Sequence, residues 1–300
     1  MECKLAIVIP AYKQKFFYEC LESLSVQTNK NFKLYVCNDG SKEDLYSIVR
    51  NFENQLDINY VRFEDNLGKK DLVAHWNRSV ALAKEPWVWL FSDDDILTKN
   101  CVQSFYEVIN ETEGEYNVYR FNIEMIDARG NIICVKDKHP EIESAYNFLM
   151  RRLQSKSLSA AIEYIFRKDI FEKEYGFVNF PLAYCSDDAS WIKFAEKKPI
   201  YTIPSDTIYW RASGTNISSR KGLQRQKKDS LTQFIEWQVS FFPDNKLEIL
   251  REAESWFFES IKYIGGALSL ADKIQTAKEL RLVYPSKSWF YFFCKLLMTK

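Results

Sequence analysis

Three hundred residues, 46% of them hydrophobic, can bury a full core as one large domain or as one domain with a small appendage. The 41 Lys and Arg balance the 41 Asp and Glu, so the chain lacks the electrostatic footprint of a generic nucleic-acid binder. The seven cysteines are scattered with no C-x-x-C pair, which argues against a disulfide framework and a zinc site and for small buried hydrophobes in a reducing compartment.

Met1-Glu2-Cys3-Lys4 runs directly into a strand and lacks a signal-peptide pattern. No apolar stretch approaches the ~18–20 residues of a membrane span, so a cytoplasmic protein is expected. Leu5–Pro10 is short, apolar and β-branched, as a parallel strand buried on both faces should be. Between Lys15 and Gln27, Phe17, Cys20, Leu21 and Leu24 recur at helical spacing. Lys33–Cys37 is a second strand, closed by Asn38-Asp39-Gly40-Ser41 and followed by a helical pattern at Leu45, Ile48, Val49 and Phe52. Ile58–Phe63 is a third strand, after which Asp65-Asn66-Leu67-Gly68 leads to a helix carrying Leu72, Val73, Trp76 and Val80. Trp87–Ser92 is the fourth strand, and it ends on Asp93-Asp94-Asp95.

This alternation predicts an α/β domain with a largely parallel sheet flanked by helices. Ligands of such sheets bind beyond the carboxyl ends of the strands. Here those ends carry Pro10-Ala11-Tyr12, Asp39, Asp65-Asn66 and Asp93–Asp95. Adjacent carboxylates raise one another's pKa unless a cation or strong donors hold them. An oxygen-rich cluster suits Mg²⁺ or Mn²⁺ completed by substrate phosphates, although a solvated turn capping the next helix is the simpler alternative.

Regularity fades after Asp95. Val118–Ile126 and Ile132–Val135 read as a hairpin, Ser144–Leu153 as a helix and Ala161–Phe166 as a strand. Ser186-Asp187-Asp188 opens a helix through Trp191, Phe194 and Ala195, and Ile200–Ile203 and Thr207–Arg211 read as two short strands. From Leu223 the pattern is helical. A boundary near Ser218–Gly222 separates residues 1–219, with a first half to about 97 and a second half from about 98, from a helical appendage at 220–300. Its last segment, Ser288–Met298, is aromatic and flanked by Lys287, Lys295 and Lys300. That pattern fits a final core helix or an interfacial anchor at the inner face of a cell membrane.

The fragments Ile7–Tyr12, Val36–Ser41, Asn66-Leu67-Gly68, Ser92–Asp95 and Ser186-Asp187-Asp188 occur in an order and spacing that resembles the family 2 inverting glycosyltransferases of GT-A fold. The resemblance implies a nucleoside-diphosphate-sugar donor, with UDP as the expected nucleotide, a saccharide or lipid-linked saccharide acceptor, and a role in bacterial surface polysaccharide synthesis. Pro10, Ala11 and Tyr12 would meet the base and ribose, and Asp39 would accept from the base's imide N–H. As a plain residue, Asp39 before Gly40 also reads as a turn. Asn66 and Gly68 would shape the loop beneath the nucleotide, Lys69 would help neutralise the diphosphate, and Arg211 would hold it. Asp94 and Asp95 align with the family's metal-binding carboxylates, with Asp93 beside the donor; which of the three touches the ion stays open. Asp188, beside Asp187, stands where the general base is expected, or either residue caps the helix.

Ser92 and Ser213 depart from the family, the first where aspartate and the second where a metal-binding histidine is frequent. A non-catalytic nucleotide-binding relative therefore stays in view. A sugar nucleotidyltransferase is disfavoured, because Pro10-Ala11-Tyr12-Lys13 stands where its glycine-rich loop would be.

Overall fold

The structure, a computed structural model, describes residues 3–217, 219–220, 222–264 and 268–299. Met1, Glu2, Ser218 and Lys300 lie outside the described residues. In chain order the first half runs Leu5–Ala11 (β1), Phe17–Ser25 (α1), Phe32–Asn38 (β2), Leu45–Val49 (α2), Ile58–Arg62 (β3), Leu72–Val80 (α3), Trp87–Leu90 (β4), Ile96–Leu97 (β5) and Cys101–Glu111 (α4). Then follow Val118–Ile126 (β6), Ile132–Cys134 (β7), Ile142–Glu143 (β8), Ala145–Leu153 (α5), Tyr164–Arg167 (β9), Lys168–Lys173 (α6), Ser186–Phe194 (α7) and Ile200–Arg211 (β10). The remainder is helical: Gln224–Phe241 (α8), Lys246–Ile264 (α9), Leu270–Val283 (α10) and Trp289–Met298 (α11).

One sheet takes the order β3-β2-β1-β4-β9-β6-β10-β5, with β7 on β6 and β8 on β10. β1 is apolar throughout because both of its faces are covered. Ala6 and Val8 enter one buried cluster, and Leu5, Ile7 and Ile9 enter the other, as the period-2 geometry of a strand requires. β1 pairs parallel with β2 and β4, and β6 pairs parallel with β10.

The antiparallel β9 sits between β4 and β6, with Ile165 opposite Trp89. The start of β9 therefore lies at the carboxyl end of β4. The carboxyl ends of β1, β2, β4, β6 and β10 share that edge.

Three expectations needed correction. The fading of regularity after Asp95 concealed α4, whose Cys101, Val102, Phe105, Val108 and Ile109 are buried at helical spacing. The two short strands near Pro204 are one strand, β10, with a register shift between Ile203 and Thr207. The segment from Ala161 begins as a 3₁₀ turn, and extended pairing starts only at Tyr164.

The C-terminal helices share a hydrophobic cluster with one sheet face, from Val8 and Phe166 through Phe234 and Phe257 to Leu296. α11 buries Phe292 and Leu296 and leaves Trp289, Phe290, Leu297 and Met298 exposed. Lys287 and Lys295 both pair with Glu254 of α9, so these two lysines share one carboxylate within the chain. Among the described residues, no helix is long and apolar enough to cross a membrane.

Candidate active site

The turn after β2 is built around Asp39. Its Oδ1 accepts from the Leu67 backbone N–H at 3.0 Å and from Arg78 at 2.5 Å, and its Oδ2 accepts from the Gly68 N–H at 2.8 Å. A Cβ at residue 68 would lie 2.7 Å from that oxygen, so only glycine lets the loop close on the carboxylate. Gly40 has a φ of +63° and abuts the Asp65 carbonyl, so the Asp-Gly turn and the strand-end carboxylate coincide. Arg78 stacks 3.8 Å over the Phe63 ring. Buried His75 receives the Arg78 Nε–H, and its desolvation pulls the imidazole pKa down to about 4. Tyr12 projects with a half-exposed ring, while Asn66 holds the Lys69 N–H and leaves the Lys69 side chain in solvent.

The three aspartates after β4 are all buried, yet they do different things. Asp93 Oδ2 accepts from the Tyr12 and Lys13 backbone N–H groups, each at 2.7 Å. It therefore orders the loop after β1. Asp94 Oδ2 takes the Lys13 ammonium at 2.9 Å. Asp95 Oδ1 accepts from the Arg211 backbone N–H at 2.7 Å, whereas its Oδ2 is buried without a hydrogen-bond partner. Burial first, and Asp94 second, push the Asp95 carboxyl well above the usual range.

That orphaned oxygen beside a second carboxylate is what a divalent cation would satisfy, so Asp94 and Asp95 fit one. Among the described residues no group of three His, Cys, Asp or Glu could hold a metal ion by itself. Ser213 donates to Asn216 and holds its own loop.

Arg211 reaches the same loop. Its Nε donates to the Asp94 carbonyl, one terminal nitrogen pairs with Glu19 at 2.5 Å and the other reaches the Asp127 and Ala128 carbonyls. Fully buried, it braces the aspartate loop.

The acidic pair reaches this edge from the far half. Leu182, Ala183 and Cys185 all have positive φ just before α7, a strained run of the kind concentrated at functional sites. Asn179 donates to Asp71, the N-cap of α3, which ties this run to the helix that follows the Gly68 loop. Asp188 is clamped by Arg152, whose Nε and terminal nitrogen reach its oxygens at 3.0–3.2 Å, and Ser159 donates to Oδ1 at 2.7 Å. Asp187 is only partly covered; burial and then Asp188 push its carboxyl up to about 7.

Lys13, Arg78, Arg152 and Ser159 went unread in the sequence. Only Arg78 left a signal, one helical turn beyond His75 on the helix that follows Gly68.

These shifts have a consequence for stability. Asp187, and Glu163 pushed by burial to about 8, hold protons in the folded chain that an unfolded carboxyl near pKa ~4 has released. The native state thus binds more protons, and stability falls as pH rises through this window. His75 and His139, lowered to about 4 and about 2, act oppositely, but only below the ordinary imidazole value of 6.5. In metal-free buffer the melting temperature is therefore expected to fall between roughly pH 6.5 and 8. A rise across that interval would contradict it.

Residues 6–164 match the model of glycosyl transferase family 2. The chain belongs to that family. GlyG, a glycosyltransferase of Streptococcus pneumoniae, is 25% identical over 122 residues, covering 39% of this chain and 40% of GlyG. The chain thus spans less than half of that relative's length. A Campylobacter jejuni enzyme named GalNAc(5)-diNAcBac-PP-undecaprenol beta-1,3-glucosyltransferase is 24% identical over 231 residues, 74% of this chain and 70% of that protein. Among solved structures, Staphylococcus aureus TarS residues 1–349 with UDP-GlcNAc superposes with a TM-score of 0.67 at 16% identity, over 98% of this chain and 90% of that one. The mannosyltransferase PcManGT of Pyrobaculum calidifontis, with GDP-Man and Mn²⁺, gives 0.58 at 16% identity over 99% and 86%. At such identities the structural likeness establishes the fold.

Proposed function

We propose that this family 2 chain is an inverting glycosyltransferase that moves a sugar from a nucleoside-diphosphate sugar, a UDP-sugar, to an acceptor hydroxyl in bacterial surface polysaccharide synthesis. What supports the reading is that Asp39, Asp94 and Asp95 follow β2 and β4 at the carboxyl edge of the sheet, where open α/β sheets bind ligands, and that Ser159, on the approach to β9 at that edge, holds Asp188. In this reading Asp39, oriented by Arg78, accepts from the base's imide N–H, and Pro10, Ala11 and Tyr12 line the base and ribose. The Asn66–Gly68 loop lies under the nucleotide, and exposed Lys69 with Lys13 offsets diphosphate charge.

Asp94 and Asp95 would hold Mg²⁺ or Mn²⁺. When bound, the ion supplies positive charge that steadies the departing nucleoside diphosphate. The acceptor oxygen attacks the anomeric carbon on the face opposite the diphosphate, giving up its proton to Asp188. The bond from that carbon to the phosphate oxygen breaks, its electron pair leaves with the nucleotide, and a single displacement inverts the centre. Arg152 and Ser159 hold Asp188 in one orientation, which suits a positioned base. The acceptor is proposed as a saccharide or lipid-linked saccharide, in line with the C. jejuni relative's name.

The UDP assignment rests on the TarS likeness, while PcManGT carries a GDP sugar. A calorimetric panel of UDP, GDP, dTDP and CMP with Mn²⁺ decides between them. UDP should bind tightest, and a preference for GDP would overturn the base assignment.

A further inference from the structure

We infer that Glu163 and Ser159 are positioning residues for Asp188, acting through a buried brace that fixes the segment from Ser157 to Ala160. The inference rests on Asp188 serving as the base. Three contacts hold that segment, two on the Asp188 side and one on Glu163. The Ser157 carbonyl accepts from Arg152 at 2.9 Å, Ser159 Oγ donates to Asp188 at 2.7 Å, and the Ala160 N–H donates to Glu163 Oε1 at 3.0 Å. Ser159 Oγ also lies 3.1 Å from the Tyr164 hydroxyl. Because the serine proton goes to Asp188, tyrosine is the donor there, giving a directed chain from Tyr164 to Ser159 to Asp188.

Behind the segment, fully buried Glu163 is held in turn. Arg151 lies 3.2 Å from His139 Nδ1, and His139 Nε2 lies 3.2 Å from Glu163 Oε2. Arginine cannot accept, so it donates to Nδ1, and the neutral imidazole carries its proton on Nε2 and donates to Glu163. Each Glu163 oxygen therefore accepts one N–H, and a carboxyl that keeps its proton through burial still has a lone pair for each. Arg151 Nε lies 3.4 Å from Glu143 Oε1, and Glu143 also pairs with buried Arg120. None of these groups reaches a reacting atom, yet a short loop that loosened by an ångström would carry Ser159 and Arg152 off the base, and misplacement on that scale costs about 10²-fold in rate.

The test compares Asp188→Asn, Ser159→Ala and Glu163→Gln by steady-state kinetics with the nucleotide sugar. Glutamine can accept only one of the two N–H groups that converge on residue 163, so it releases the segment without emptying the site. Ser159→Ala and Glu163→Gln should each lower kcat by about ten- to hundredfold with donor KM unchanged. An active Asp188→Asn would refute the base reading itself. Loss of activity in Asp188→Asn alongside wild-type kcat in Ser159→Ala would instead overturn the brace. A rise in KM at constant kcat would also overturn it. Should Glu163→Gln fail to fold, the exposed-side Ser159→Ala decides alone.

Discussion

Asp188→Asn is expected to lower turnover by about 10²–10⁴-fold, the worth of a positioned general base, while leaving nucleotide binding intact. The carboxylate sits on the first turn of α7, held by Arg152 from α5 and by Ser159 from the approach to β9. Nothing in the Asp39 pocket touches it, so amide substitution removes the proton acceptor without disturbing the nucleotide loop. Asparagine can keep the Ser159 bond on its one amide oxygen, but its NH₂ replaces an oxygen that Arg152 reaches, so the variant abolishes basicity and loosens part of the clamp. Asp187→Asn should cost less. Asp187 lacks the clamp, and its raised pKa comes from burial and from Asp188 beside it. If Asp187→Asn were the inactive variant and Asp188→Asn the active one, the roles would be reversed.

Asp95→Asn is expected to act in opposite directions with and without metal. Without it, the buried Asp95 carboxyl has one oxygen with no partner. An unpaired charge is costlier to bury than an unpaired amide, so the variant should melt at a higher temperature than wild type. With Mn²⁺, wild type should gain stability by mass action, about 2.7 kcal/mol when the ion is at 100 times its Kd. The variant should lose that gain, because removing a ligand weakens the ion by at least the ~10–100-fold known for outer-shell partners. Thermal melts in EDTA and in Mn²⁺ read both effects. Equal Mn²⁺ stabilisation of the two proteins would remove Asp95 from the cation site.

Much of the donor half could be read before the fold was known, for a local reason. β1, β2 and β4 are apolar because both sheet faces are covered, and each ends abruptly in polar residues where the chain leaves the core. Asp39 and Asp93–Asp95 stand at those exits, so strand pattern alone placed them on one edge. What each carboxylate does there depends on partners distant in sequence. Asp93 is bound by backbone N–H groups 80 and 81 residues away, and Arg211 by a carbonyl 117 residues away. Neither contact leaves a periodicity or a motif, so what these two residues hold in the fold is not legible in the sequence. The acceptor half was harder still. α4 follows a loop dense in carboxylates, and Arg152 and Ser159 gain meaning only when α5 and α7 pack together.

The central claim is that carboxylates from separate strands form one pocket for a nucleoside diphosphate and a divalent cation. It is tested most directly by calorimetric titration of UDP into the wild-type chain, once with Mn²⁺ and once with EDTA. Tight binding with Mn²⁺, and binding weakened at least about tenfold in EDTA, is the predicted result. UDP that binds equally well in EDTA, or fails to bind under either condition, would contradict it.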